Sequence, residues 1–117
     1  MNLAAIVNAL ELENLTPEID LDTMPDIRCG YASDLLSDVL AHAPRGGVLI
    51  TVQVHLNVIA VSVHAELAAV IFALGRRPDD ATRARAAQEG VCLLASQAPA
   101  FEIVGKLYEL GLRGVDA

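Results

Sequence analysis

Tryptophan is absent, and two Phe and two Tyr make up the whole aromatic complement, so the core has to be aliphatic. Lysine occurs once, at Lys106, and Lys and Arg together number 8 against 15 acidic residues, a net charge of −7. That balance argues against a nucleic-acid backbone as partner, because phosphate binding relies on clustered cations. Anionic membrane surfaces are disfavoured for the same reason. Cys29 and Cys92 are the only cysteines and form no C-x-x-C pair. Buried reduced thiols are therefore expected, not a disulfide, a metal site or an iron–sulfur cluster. The opening MNLAAIVNALELEN carries no basic leader and no cleavage signature, so a cytoplasmic location is expected.

Catalytic signatures are missing too. A phosphoryl-transferring P-loop needs a glycine-rich turn followed by a lysine, and Lys106 lies far from any such turn. Ser33, Ser37, Ser62 and Ser96 lack the G-x-S-x-G elbow of a serine nucleophile. His42, His55 and His64 form no H-x-x-x-H pair, so no metal ligand set is evident. A non-catalytic chain without a cofactor is the expectation.

What the chain does have is an apolar stretch, GVLITVQVHLNVIAVSVHAELAAVIFALG at 47–75, with Glu66 as its one charged side chain. Polar residues at 51, 53, 55, 57, 62, 64 and 66 make a membrane span improbable. The stretch reads as the core of a small domain, and Thr51, Gln53, His55 and Asn57 stand where the apolar run breaks. Buried polar groups need partners or a purpose, which makes these four leading site candidates. An apolar content of 54% in 117 residues is high, and part of that surplus is expected at a homodimer interface.

Along the chain, Leu3, Ile6, Val7 and Leu10 share one helical face. Residues 16–25 read as an acidic loop leading into a short strand at Ile27–Tyr31. Ser33 is placed to cap a second helix that buries Leu35, Leu36, Val39 and Leu40, ended by Pro44-Arg45-Gly46-Gly47. Residues 47–53 read as a buried strand. Residues 57–63 are rich in β-branched side chains and fit a strand by that measure, but Asn57 as a cap and the Ala and Leu content favour a helix to about Leu67. A strand at Ala69–Ala73, a helix capped by Asp80 and closed by Gly90, and a strand at Val91–Ala95 follow. Pro99 then opens a last helix burying Phe101, Val104, Leu107 and Tyr108. Alternation with short connections predicts an α/β single-domain layered fold, its largely parallel sheet flanked by helices.

Three strings carry a resemblance: GYASDLLSDVLAHA at 30–43, TVQVHLNVIAV at 51–61 and GVCLLASQAPAFEIVGKLYELGL at 90–112. Together they resemble the small stand-alone DRTGG-domain proteins of bacteria, over nearly the whole chain, 1–117. No DRTGG string occurs; the corresponding region reads VHLNV and ALGRR, so no role of the eponymous residues carries over. The resemblance implies a fold similar to the N-terminal domain of HPr kinase/phosphorylase and a regulatory or ligand-sensing role beside CBS domains. It also implies an association with iron-only hydrogenase genes in anaerobes.

In open parallel sheets, ligands collect beyond the carboxyl ends of the strands. The candidate binding set is therefore Gly30, Ser33, Asp34, Thr51, Gln53, His55, Asn57, Arg76, Arg77 and Ser96. Arg76 and Arg77 offer an always-charged grip on carboxylate or phosphate, and His55 and Asn57 add donors. The expected ligand is a small anion resembling an adenine nucleotide. Each residue also has a plainer role as cap, solvated loop or interface contact. A protein that docks on a redox enzyme, such as an iron-only hydrogenase system, is the alternative function.

Overall fold

The computed structural model describes residues 1–115; residues 116 and 117, the last two of the expected domain, lie outside the described residues. The order of elements is α1 (Leu3–Leu10), β1 (Glu13–Asn14), a 3-10 turn (Leu21–Thr23), β2 (Gly30–Ala32), α2 (Leu36–His42), β3 (Val48–Thr51), α3 (Asn57–His64), β4 (Ala69–Phe72), α4 (Asp80–Glu89), β5 (Cys92–Ala95) and α5 (Ala100–Glu109). They form one five-stranded sheet ordered β1-β5-β4-β3-β2. Strands β2 to β5 run parallel, and β1 joins β5 antiparallel through Glu13 opposite Ala95. The largely parallel α/β fold expected from the sequence is what the chain adopts.

Every residue of β3, β4 and β5 is buried, because helices cover both faces of the sheet. Side chains alternate between two cores. Val48, Ile50, Ile71 and Leu94 point to the layer of α1 and α5, against Leu3, Ile6, Ile103 and Leu107. Leu49, Val70, Phe72 and Leu93 point to the layer of α2, α3 and α4, against Val39, Val58, Ile59 and Ala86. A full side chain such as Ile71 or Leu93 contributes about 1.5–3 kcal/mol by leaving water. The apolar run at 47–75 is thus shared among β3, α3 and β4. No helix among the described residues is long and apolar enough to cross a membrane.

Several local expectations are corrected. Strand β2 starts at Gly30; Ile27 is fully buried but exchanges backbone hydrogen bonds with Met1 at 2.7 Å instead of joining the sheet. Helix α2 begins at Leu36, and Leu35 and Leu40 are mostly exposed while Val39 alone is fully buried. Lying beside the edge strand, α2 has little sheet beneath it. Helix α3 is a helix, as favoured, but ends at His64, where Glu66 takes a left-handed φ of 55°. Asp79 caps α4, its side chain accepting from the Thr82 N–H, and Asp80 is the first helical residue. Helix α5 buries Ile103 and Leu107 and leaves Phe101, Val104 and Tyr108 exposed. Strand β1, only two residues long, has no period to read.

Cys92 is fully buried and Cys29 half-buried, and both are free thiols. Burial pushes the Cys92 thiol up to about 11, which leaves it without thiolate character.

Candidate ligand-binding cleft

The carboxyl ends of β3 and β4 open into a cleft of about 550 Å³ between the loops that lead to α3 and α4. Gln53, Val54, His55 and Leu56 line one side; Arg76, Asp79, Ala81 and Thr82 line the other.

The β3 loop is set by a buried threonine. Thr51, 1% exposed, donates its hydroxyl to Asp34 Oδ1 at 2.8 Å, and Asp34 Oδ1 also accepts the Val52 N–H at 2.8 Å. The Gln53 N–H then bonds to Thr51 Oγ1 at 3.1 Å. Asp34 and Thr51 therefore support the wall beneath the cleft. Beyond them, His55 Nδ1 accepts the Asn57 N–H at 3.1 Å, capping the first turn of α3. An accepting Nδ1 places the proton of the neutral ring on Nε2, which makes that edge a donor.

The opposite wall rests on a strained turn. Leu74 and Gly75 follow β4 with φ of 60° and 67°, and the Arg76 N–H closes the turn on the Ala73 carbonyl at 3.1 Å. Two positive φ values in succession favour Gly or Asn, so Leu74 is held there at a cost. A Cβ on Gly75 would come within 2.6 Å of Gln97 Oε1. This turn separates the two arginines. Arg76 enters the cleft, and it has no ion-pair partner among the described residues. Arg77 turns toward β1 and pairs with Glu13, whose carboxyl is held below its ordinary range first by that bond. Asp79 is likewise held low, first by hydrogen bonds from Thr82.

Of the ten candidates, Gln53, His55 and Arg76 therefore meet in the cleft, with Asp34 and Thr51 beneath. The other five are not brought there. Asn57 gives its N–H to His55 and lines a separate groove of about 340 Å³ between α3 and α4. Ser96 accepts the Ala98 N–H at 3.1 Å and lines a hollow with Arg77 on the β5 side. Ser33 accepts the Leu35 N–H at 3.2 Å and shapes the approach to α2. Gly30 lies opposite Val48, the first residue of β3, and so at the amino end of the sheet, near Val104 and Tyr108. Asp79 and Thr82 were not among the candidates, because the cap of α4 was expected at Asp80 and falls one residue earlier. No group of three or more His, Cys, Asp or Glu residues converges as a metal set among the described residues.

No family model matches the sequence, and no curated protein matches it. Among solved structures, the fold is similar to the crystal structure of the CBS and DRTGG domains of the regulatory region of Clostridium perfringens pyrophosphatase, complexed with the activator diadenosine tetraphosphate. The TM-score is 0.72 at 13% identity. The likeness covers 91% of this chain, which spans 45% of that one. At such identity the likeness speaks for the fold, and a DRTGG-type fold is what the three sequence strings imply.

Proposed function

We propose that the chain is a non-catalytic, cytoplasmic regulatory module that senses a small anionic ligand resembling an adenine nucleotide, and that it works as a homodimer. The observation that carries this reading is the Arg76 guanidinium, free of ion pairs among the described residues, across the cleft from His55. The pair lies beyond the carboxyl ends of two adjacent parallel strands, where α/β sheets bind ligands. Arg76 supplies a planar donor fork for phosphate, while the start of α4 is already occupied by its Asp79 cap. Val54 and Leu56 give a base an apolar wall. The binding of diadenosine tetraphosphate to the regulatory region of similar fold supports a nucleotide over other anions.

Calorimetric titration of AMP, ATP and diadenosine tetraphosphate tests the reading. At least one should bind wild type, and Arg76→Ala should weaken it about tenfold or more. Equal affinity in both proteins would remove Arg76 from the site, and no binding by wild type would remove the ligand class.

A second reading, docking on a redox enzyme such as an iron-only hydrogenase system, is favoured by the α3–α4 groove. There Leu56 and Val63 are partly exposed beside Ala60, with Arg85 and Glu89 at the rim. Ala60→Asp with Val63→Asp, neither of which lines the cleft, should then abolish capture of the enzyme from an anaerobic lysate while leaving nucleotide binding unchanged. Undiminished capture would exclude the groove.

A further inference from the structure

The outer face of the α1 and α5 layer is unlike the rest of the surface. Helix α1, LAAIVNAL, carries no charged residue, and it exposes Ala5, Asn8 and Ala9. On the neighbouring α5, Phe101 is 86% exposed, Tyr108 57% and Val104 37%. These three recur at i, i+3 and i+7, so they form one apolar stripe. Gly105 lies beside them in mid-helix, exposed, and a Cβ there would meet nothing within 4 Å. Glycine costs a helix stability relative to alanine, and nothing within the protomer calls for it at this position. A second backbone approaching the stripe would.

We infer that this face is where a second copy of the chain packs, with α5 lying antiparallel against α5 of the partner about a two-fold axis at Val104–Gly105. The order of residues is self-complementary about that point. Phe101 stands three positions before Val104, and Tyr108 three after Gly105, so each aromatic meets the other type across the axis. Arg113 already stacks on the Tyr108 ring, 3.9 Å from its centroid, which holds the ring in place. The charged side chains of α5, Glu102, Lys106 and Glu109, recur at i, i+4 and i+7 on a different face from the stripe, which leaves the seam free of charge.

A stable interface takes about 800 Å² from each partner. One broad face of a molecule with extents of 33 × 29 × 26 Å provides that area. The cleft lies at the strand ends rather than on this layer, so the dimer stands or falls apart from the ligand reading. Gly30 gains a role here: its lack of a side chain keeps open the small hollow beside Val104 and Tyr108.

Light scattering at micromolar concentration, with circular dichroism to confirm folding, tests the interface on three proteins. Wild type should return twice the 12.4 kDa chain mass. Phe101→Glu should be folded and return the single mass. Gly105→Leu, whose added side chain starts where the protomer has open space, should fold and raise the dimer dissociation constant about tenfold by holding the two α5 helices apart. A monomeric wild type, or a dimer indifferent to Phe101→Glu, would overturn the proposal. Should Phe101→Glu fail to fold, Gly105→Leu decides: a dissociation constant unchanged from wild type would overturn the arrangement.

Discussion

Arg76 and Arg77 are adjacent in the chain yet serve opposite sides of β4: Arg76 lines the cleft with His55, while Arg77 is tied to Glu13 on the antiparallel edge strand. The separation follows from the Leu74-Gly75 turn. Arg76→Ala should therefore remove ligand affinity, whereas Arg77→Ala should leave it within twofold and lower the melting temperature slightly, since exposed ion pairs contribute little. Parallel titrations and thermal melts check this. Equal losses of affinity in the two variants would show the arginines acting as one grip.

Leu74 holds a φ of 60° with its side chain 57% exposed. Asparagine tolerates that conformation better and forfeits little burial here. Leu74→Asn should stabilise the fold by about 1 kcal/mol, measured as a raised urea midpoint at unchanged slope. A lowered midpoint would show that the Leu74 side chain contributes more than its strain costs.

Asp34 spans from the β2–α2 loop to the end of β3. Its removal leaves the buried Thr51 hydroxyl without its acceptor, and Asp34→Ala should destabilise by about 1–2 kcal/mol. Thr51→Val, which removes the hydroxyl itself, should cost less when made in the Asp34→Ala background than in wild type. A double-mutant cycle in denaturant measures the coupling, and additive losses would contradict it.

Acid should destabilise the protein through identifiable carboxylates. The Tyr31 hydroxyl donates to Asp38 at 2.8 Å and is the first cause of the lowered Asp38 value, ahead of Ser33 and His42. Glu13 is held low as well, first by its bond from Arg77, and Glu18 first by its own backbone N–H and then by Arg83. A carboxyl lowered by folding binds fewer protons in the native state. Its contribution is therefore whole above the ordinary value, 3.8 for aspartate and 4.5 for glutamate, and is lost as pH falls through the lowered one. Tyr31→Phe should flatten the loss of stability below that range, as read from urea melts across the acid limb. An unchanged acid limb would remove the Tyr31–Asp38 bond from the account.

The two thiols should differ in reactivity. At mildly alkaline pH a thiol reagent should label the half-buried Cys29 in the native protein and reach Cys92, raised to about 11, only on unfolding. Labelling of both in the native state would show that the β5 core opens readily.

The parallel sheet was legible because β3, β4 and β5 are short apolar runs between helix-period segments, and their alternation admits few topologies. Less legible was which face of a helix turns inward. Helix α5 is apolar on two adjoining faces, and the rule that placed Phe101, Val104, Leu107 and Tyr108 together could not see that Ile103 with Leu107 meets the sheet. The candidate cleft was half legible. Gln53, His55 and Arg76 follow from the strand-end rule, since each lies just past a buried run. Arg77 escaped it because its direction depends on two left-handed residues and on Glu13, a partner 64 positions away. Gly30 escaped it because β2 starts there rather than ending there.

The central claim, that the β3–α3 and β4–α4 loops form the ligand site, is tested most directly by titrating ATP into isotope-labelled protein and following the backbone amide resonances. The account predicts saturable shifts concentrated at Gln53–His55 and Arg76–Thr82, abolished in Arg76→Ala. Shifts confined to the α3–α4 groove or to α5, or none at saturating ATP, would contradict it.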